Sequence, residues 1–268
     1  MKADLRGRVV LVTGGTAGIG LATGLAFGRR GAHVVLTHRW GSADEDAIRA
    51  AFEAADAPAP DIVEADVGAR EDTETLVAHL RERHERVHAF VSNVAFAQLA
   101  RSKEDLTLRA LNRSIAYTAW PLVDYSLALE RAFGEWPRYV VGVSSCGARE
   151  HHTSYDLAGA SKAALEALVR YLAHRTASTP CRVNAVRPRW VDTASLAATM
   201  GEGFVPFVKA NAHGDPLLQT PEEVADVIVA LCSGWLDGMR GQVIDVDRGT
   251  GFYENMMRLY ANRLRTER

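Results

Sequence analysis

The sequence predicts an α/β fold, a doubly wound parallel sheet of about seven strands with helices on both faces. Short β-branched runs alternate with longer helical segments along nearly the whole chain of 268 residues. A glycine-rich turn directly follows the first of these runs. No repeat, low-complexity segment or linker interrupts the alternation, so residues 1–268 are expected to form a single domain of the Rossmann type.

The first unit is a strand, a glycine-rich turn and a helix. Residues 8–13 (RVVLVT) form a β-branched run, and a helical pattern follows the turn and ends at Gly31. Glycines in such a turn let the backbone approach a pyrophosphate, and the helix N-terminus supplies N–H groups to the phosphates. A tight turn without a ligand is the alternative. The predicted dinucleotide contacts are Gly14, Thr16, Gly18, Ile19 and Gly20.

The second strand, residues 33–37 (HVVLT), bears on the choice of dinucleotide. An NAD site usually places an acidic residue near this strand end to bind the ribose 2′-hydroxyl. Here the first acid is Asp44, whereas Arg39 stands nearer and could pair with a 2′-phosphate. The sequence therefore favours NADPH over NADH, with a surface role for Arg39 as the alternative.

The remaining elements continue the alternation of strands and helices. Helices are predicted at 43–57, 71–85 and 103–129, the last with a break near Pro121. Asp66 stands at the end of the third strand, where it would reach the adenine. The further strands are predicted at 61–67, 87–91, 139–143, 181–186 and 242–247.

Composition excludes several classes of protein. The net charge of −2 gives no basic surface for nucleic acid, and no apolar run is long enough for a membrane helix. The three cysteines, Cys146, Cys181 and Cys232, are far apart and form no CxxC pair. This spacing predicts neither a disulfide framework nor a metal site, and it is typical of the reducing cytoplasm.

Several motifs together resemble the short-chain dehydrogenase/reductase family over nearly the whole length. They are TGGTAGIG at 13–20, ADV at 65–67, SNVA at 92–95, Asn112, Ser145, Lys162 and the run VNAVRP that ends at Pro188. The resemblance implies a nicotinamide dinucleotide and a catalytic set of Asn, Ser, Tyr and Lys, matched here by Asn112, Ser145 and Lys162. The cofactor contacts that it implies are Asp66, Val67, Asn93, Ala95, Lys162, Pro188, Val191 and Thr193.

The chain departs from the family pattern at the tyrosine. The usual Tyr-x3-Lys spacing would place a tyrosine at position 158, which is Ala158, whereas Tyr155 precedes Lys162 by seven residues. This Tyr-x6-Lys spacing resembles the divergent enoyl-acyl-carrier-protein reductases that have an ordinary TGxxxGIG loop. On a helix, seven residues rise ~10.5 Å and return to the same face, so the hydroxyl begins farther from the lysine.

The displaced tyrosine suits conjugate reduction. There, hydride reaches the β-carbon and negative charge develops on a carbonyl oxygen two carbons away; a tyrosine that swings back to a ketone is the alternative. We expect Tyr155 to stabilise that oxygen, Lys162 to bind the nicotinamide ribose and favour the phenolate, and Ser145 to bond the substrate carbonyl. Asn112 would hold a water, or bond backbone within its helix.

The substrate pocket is predicted from aromatic and histidine side chains. Its candidate residues are Phe96, His151, His152 and Trp190. Residues 194–217 are a candidate lid, with Gly201, Gly203 and Gly214 as points of movement. In the tail, 251–268, the side chains Tyr253, Met257, Tyr260 and Leu264 share one helical stripe. The resemblance implies a homodimer or homotetramer.

Three functions follow from these observations. The first is NADPH-dependent reduction of a small-molecule or carrier-bound enoyl thioester in the cytoplasm. The second is reduction of a ketone such as a polyketide intermediate, because Ser145 and Asn112 belong to that chemistry. The third is an inactive dinucleotide-binding sensor, suggested by Ala158, the SNVA run and Arg189.

Overall fold

Seven parallel strands form the sheet in the part of the chain that the computed structural model describes, which is residues 4–39, 41, 43–96, 98–212, 217–253, 256–258, 260 and 263. The strands are β1 Val9–Val12, β2 His33–His38, β3 Asp61–Glu64, β4 Ala89–Ser92, β5 Tyr139–Val143, β6 Arg182–Pro188 and β7 Val243–Val246. Their order, β3-β2-β1-β4-β5-β6-β7, extends outward on both sides of the β1–β4 pair. The doubly wound Rossmann fold is confirmed.

Helices cover both faces of this sheet. They are α1 Gly18–Gly28, α2 Glu45–Ala54, α3 Arg70–Arg83, α4 Leu108–Thr118, α5 Trp120–Phe133, α6 Asp156–Arg175, α7 Ala194–Met200, α8 Phe204–Asn211 and α9 Pro221–Leu231. Val10 and Val12 of β1 join the core under α1, α2 and α9, whereas Val9 and Leu11 join the core under α3, α5 and α6. The strand is therefore buried on both faces, as its apolar run predicts.

Two predicted elements differ from those observed. The strand at 61–67 ends at Glu64. The helical region at 103–129 is divided into a 3₁₀ turn at Lys103–Asp105 and the helices α4 and α5, which meet at Ala119. Pro121 lies in the first turn of α5, where its missing N–H breaks no intrahelical bond. The break expected near Pro121 is thus confirmed.

The carboxyl ends of the central strands bring distant motifs together. The loop after β1 and Asn93 after β4 meet at the β1–β4 pair, the point where the direction of strand order reverses. In open parallel sheets, ligands bind in the crevice at this point. None of the described helices is both long and apolar enough to cross a membrane.

Candidate active site

A cavity of about 390 Å³ opens at the carboxyl edge of the sheet. This volume lies within the range of small-molecule sites. Its walls come from the loop after β1, the ends of β4, β5 and β6, the start of α6, and α7. The predicted site residues that line it are Gly14, Gly18, Ile19, Asn93, Ala95, Ser145, His152, Tyr155, Lys162, Pro188, Trp190, Val191 and Thr193.

The segment from the end of β5 into α6 contributes three of the predicted catalytic side chains. Ser145 follows β5, Tyr155 caps the N-terminus of α6, and Lys162 lies two turns into that helix. All three line the same cavity. Ala158 is buried, with 3% of its surface exposed, and it brings no polar group to the usual tyrosine position. Tyr155 is thus the tyrosine that shares the cavity with Lys162 among the described residues, and its role as the acid stays a prediction.

The ring of Tyr155 packs against the glycine turn that follows Ser145. A Cβ atom at Gly147 would lie 2.5 Å from Cε1 of Tyr155, so only glycine leaves room for the ring. Ser154, immediately before the tyrosine, has a φ of 62°, in the left-handed region that non-glycine residues rarely adopt. Its carbonyl accepts a hydrogen bond from the backbone N–H of Ala100. This strained turn fixes where Tyr155 enters the helix.

Burial keeps the Tyr155 hydroxyl protonated. It raises the pKa of Tyr155, and a hydrogen bond with Ser145 opposes the rise only in part. Burial therefore acts against the phenolate, and the effect of Lys162 on Tyr155 stays a prediction. A protonated phenol at neutral pH is suited to donate a proton or hydrogen bond, rather than to act as a base.

Lys162 is enclosed by protein. Its Nζ donates to the carbonyl oxygen of Val143 at 2.5 Å, and 4% of the residue is exposed. Burial lowers the pKa of Lys162 to about 8, while Glu166 one turn later acts in the opposite direction. The ammonium group carries three N–H donors, so the bond to Val143 leaves two for the cavity side.

A buried ionic network supports this side of the cavity, and sequence reasoning missed it. Glu166 accepts two hydrogen bonds from Arg187, at 2.8 and 2.9 Å, and one from the hydroxyl of Ser144 at 2.7 Å. Arg187 also donates to Asp245 at 2.8 Å. The network joins α6, one turn after Lys162, to β6 and β7. The sequence shows that Glu166 and Arg187 are charged, but it does not show that these two residues, 21 positions apart, pair with each other.

The glycine loop has the close packing that a dinucleotide cradle requires. A Cβ at Gly20 would lie 2.2 Å from the carbonyl oxygen of Gly14, and Gly14 and Gly18 both have positive φ. The amide of Asn93 donates to the backbone carbonyl oxygens of Thr13 and Gly14, at 3.1 and 2.9 Å, which fixes the loop. These residues fit a nicotinamide dinucleotide, with its phosphates at the N-terminus of α1.

Comparisons with known proteins agree with this geometry. A family model described as "Enoyl-(Acyl carrier protein) reductase" matches residues 14–251. The chain belongs to the short-chain dehydrogenase/reductase family. The match covers most of the chain, and it makes this protein an oxidoreductase with a nicotinamide dinucleotide as its cofactor.

Individual relatives cover nearly the whole of this short-chain dehydrogenase/reductase. It is 30% identical to the enoyl-[acyl-carrier-protein] reductase [NADH] FabI of Aquifex aeolicus, over 91% of this chain and 92% of that one. It is 31% identical to the 1-cyclohexenylcarbonyl-CoA reductase of Streptomyces collinus, over 92% and 88%. A short-chain type dehydrogenase/reductase structure from Mycobacterium ulcerans shares the fold, with a TM-score of 0.80 and 23% identity over 97% of this chain and 98% of that one.

Just after the end of β2, Arg39 of this reductase meets Asp66. Arg39 Nε lies 2.9 Å from the Asp66 carboxylate, and its guanidinium lies 5.0 Å from the centre of the Tyr117 ring. The Tyr117 hydroxyl donates to Asp66 at 3.2 Å. Tyr117 was not predicted, since its partner lies 51 positions away. Neither Thr16 nor the buried Val67 lines the cavity.

Two predicted pocket residues lie elsewhere. Phe96 does not line the cavity; its ring packs 5.9 Å from that of Tyr117 and lies under the guanidinium of Arg113. His151 is exposed and points outside the cavity, on the surface of the same loop. His151 stays in solvent because a loop histidine gains little from burial without an apolar partner.

His152 and Trp190 do line the cavity. His152 Nε2 lies 3.5 Å from the Cys146 sulfur, and its ring centre is 5.8 Å from that of Tyr155. Burial lowers the pKa of His152, so its ring is neutral at pH 7. The Trp190 ring meets Phe204 of α8 edge-on at 5.3 Å. These two side chains form the wall opposite the glycine loop.

The prediction for Asn112 is wrong. Asn112 is exposed on α4, whereas Ala110, Ser114 and Thr118 form the buried face of that helix. At about 100° per residue, a position two residues from Ser114 points away from it. Ser114 is fully buried, and its hydroxyl has no hydrogen-bond partner among the described residues. Ala110, Ser114 and Thr118 are small residues at four-residue spacing, and this spacing is the signal in the sequence that the buried face of α4 includes Ser114.

The candidate lid consists of two short helices as far as Asn211. Leu196, Thr199 and Met200 of α7 line the cavity. Gly201 has a φ of 94° and separates α7 from α8, whereas Gly214 lies outside the described residues. Movement of this segment stays a prediction. In the tail, Met257 and Tyr260 expose 66% and 59% of their surface, and Leu264 lies outside the described residues.

Proposed function

We propose that this protein reduces the carbon–carbon double bond of an enoyl thioester, with NADPH as hydride donor. The observation that carries the proposal is the pair Tyr155 and Lys162 in one cavity, with the buried Ala158 at the usual tyrosine position. The names of both relatives describe reduction of enoyl or cyclohexenylcarbonyl thioesters. The thioester is expected to be carrier-bound or a small molecule.

A nicotinamide dinucleotide would supply the hydride when bound, and the protein would stabilise the negative charge that then develops on the substrate. When hydride adds to the β-carbon, the electron pair of the carbon–carbon double bond forms a new double bond to the carbonyl carbon, and the carbonyl π pair moves onto the thioester carbonyl oxygen. The Tyr155 hydroxyl donates a hydrogen bond to that oxygen and stabilises the enolate. Because burial raises the pKa of Tyr155, the phenol holds its proton until this charge develops. A proton from solvent then adds to the α-carbon, the enolate collapses to the thioester carbonyl, and the reduction is complete.

Ser145 and Lys162 hold the reacting groups in place. The Ser145 oxygen accepts from the backbone N–H of Gly147 at 3.2 Å, which leaves its hydroxyl proton available for Tyr155 or the substrate oxygen. Lys162 is anchored at Val143 and directs its charge toward the cavity. A positive charge there attracts the nicotinamide ribose hydroxyls and adds to the stabilisation of an enolate.

The preference for NADPH rests on Arg39. Asp66 and the ring of Tyr117 hold its guanidinium near the end of β2, where a 2′-phosphate would lie. The name of the Aquifex aeolicus relative specifies NADH, which favours the opposite choice. Fluorescence titration with each dinucleotide tests the preference. We expect NADPH to bind at least ~10-fold more tightly, and Arg39→Ala to remove the difference.

A substrate panel tests the reaction itself. Purified protein is supplied with the preferred dinucleotide and either crotonyl-type thioesters or a series of ketones. We expect kcat/KM for the enoyl thioesters to exceed that for the ketones. Ketone reduction is the second candidate, favoured by Ser145 beside Tyr155 in the cavity, and turnover of ketones alone would overturn the enoyl proposal.

A further inference from the structure

Four possible metal ligands meet at the amino edge of the sheet, opposite the active site. His33 is the first residue of β2, Asp61 is the first residue of β3, and His84 directly follows the last turn of α3. His79 lies just before that last turn of α3. Three secondary-structure elements thus bring two imidazoles and one carboxylate together, with His79 beside Asp61, and none of these groups takes part in the proposed reaction.

The ligand atoms are close to the spacing of a metal site. One ligand atom from each of His33, Asp61 and His84 lies within 4.8 Å of the other two. His33 Nε2 is 3.1 Å from Asp61 Oδ2, and His79 Nε2 is 3.9 Å from the same oxygen. Ligands with bond lengths of about 2.0–2.2 Å around a tetrahedral zinc ion lie roughly 3.3–3.5 Å apart. Side-chain rotations that move these atoms by about 1 Å would therefore bring His33, Asp61 and His84 to the spacing of zinc ligands.

His84 strengthens the case for a ligand. Its Nε2 is buried and has no hydrogen-bond partner among the described residues, and its ring centre lies 4.8 Å from that of His33. A buried polar nitrogen without a partner is costly. A metal ion at the centre of the cluster would satisfy this nitrogen.

Access to the cluster is open. The side chains of His33 and Asp61 are each 33% exposed, and that of His79 is 31% exposed. Arg83 lies 2.6 Å from Nδ1 of His79, and its exposed guanidinium can turn into solvent when His79 binds a metal. An ion can therefore enter from solvent without opening the core.

We propose that His33, Asp61 and His84, with His79 as the fourth ligand, bind one Zn²⁺ ion. Imidazole nitrogen and carboxylate oxygen in a four-ligand set are typical of zinc. The ion would join the starts of β2 and β3 to the end of α3. Its role is structural, because the site lies at the edge of the sheet remote from the cavity.

A second cluster, Cys146, Glu150 and His152, is the competing candidate within the described residues. It is less suited to zinc because both Glu150 oxygens are held by Arg189, at 3.1 and 2.9 Å. Burial also raises the pKa of the Cys146 thiol to about 11, which disfavours the thiolate that zinc requires. The amino-edge cluster has no such competing guanidinium on its carboxylate among the contacts described.

Calorimetric titration of the chelator-treated full chain with Zn²⁺ near neutral pH tests the proposal. We expect one ion per chain, and a rise in thermal stability that follows the zinc concentration as binding to the folded state requires. His84→Gln and Asp61→Asn are each expected to weaken binding by at least ~10-fold. His174→Gln, an exposed histidine on α6, is the matched control and should bind as the wild type does.

The absorption spectrum of bound Co²⁺ distinguishes between the two clusters as the metal site. Co²⁺ bound by His33, Asp61, His84 and His79 has no thiolate ligand, so we expect d–d bands without an intense sulfur-to-metal band. A sulfur-to-metal band that disappears in Cys146→Ser would place the ion in the other cluster and overturn the proposal. It would also be overturned by the absence of stoichiometric zinc binding to the wild type, or by unchanged binding in folded His84→Gln and Asp61→Asn.

Discussion

The two edges of the sheet hold their polar side chains in opposite ways. At the carboxyl edge, Glu166 and Arg187 are each 7% exposed and pair below Lys162. At the amino edge, His33 and Asp61 pair at a similar distance but are each 33% exposed. Because the Glu166–Arg187 pair is buried, breaking it would strongly destabilise the fold. Solvent screens the His33–Asp61 pair, which therefore contributes little to stability. The first pair can fix a catalytic geometry, and the second is accessible to an ion.

The largest expected effect is at Glu166. Glu166→Gln removes the buried charge that faces Arg187 and leaves its guanidinium with only the half-exposed carboxylate of Asp245. We expect a loss of roughly 3–5 kcal/mol in the free energy of unfolding, measured by denaturant titration. Glu223→Gln is the control, since its pair with Arg248 is partly exposed and should lose only about 0–1 kcal/mol. Equal losses in the two variants would contradict the contrast between buried and exposed pairs.

Lys162 should make stability depend on pH. Burial lowers its pKa to about 8 in the folded protein, whereas the unfolded chain keeps a value of ~10.4. Between these values the unfolded state binds more protons, so the stability of the wild type rises with pH through that window. Below it, the lysine is charged in both states and the full cost of burying the charge remains.

Lys162→Met tests this dependence. The variant should be more stable than the wild type near neutral pH, by on the order of 3 kcal/mol. The difference should shrink as the pH rises from about 8 toward 10, and urea titrations at several pH values measure it. A difference that stays constant across this window would show that Lys162 has an ordinary pKa.

The smallest expected effect is at the amino edge. In metal-free protein, Asp61→Asn should change the free energy of unfolding by less than about 1 kcal/mol, because solvent screens its pair with His33. Chemical unfolding in the presence of a chelator measures this change. A loss of several kcal/mol without metal would instead make the pair a structural element of the sheet edge.

Local pattern predicted much of the fold and half of the site. The β-branched runs mark the strands because only residues buried on both faces are apolar without alternation, as Val9–Val12 shows. The glycine turn was recognisable because Gly14 and Gly20 must approach each other closely. The Tyr155–Lys162 spacing predicted that both side chains share one face, and both line the cavity, because Tyr155 caps the helix that contains Lys162.

Interactions between distant segments were not predictable from these patterns. Asn112 matches the family pattern by its position in the sequence, yet the rotation of α4 against its neighbours buries Ser114 instead. Tyr117 reaches Asp66 from another helix, and Glu166 selects Arg187 rather than another arginine. Which side chains are buried and which residues pair depend on how the helices pack on the sheet. The charge and periodicity of the sequence do not determine this packing.

The most direct test of the proposed chemistry is the turnover of Tyr155→Phe. NADPH oxidation with an enoyl thioester is compared for the wild type, this variant and Tyr171→Phe, a control whose tyrosine is 71% exposed on α6. We predict a loss of ~100-fold or more in kcat for Tyr155→Phe alone, with unchanged dinucleotide binding. Wild-type turnover in Tyr155→Phe would contradict the account and assign the stabilising group to His152 or a water molecule.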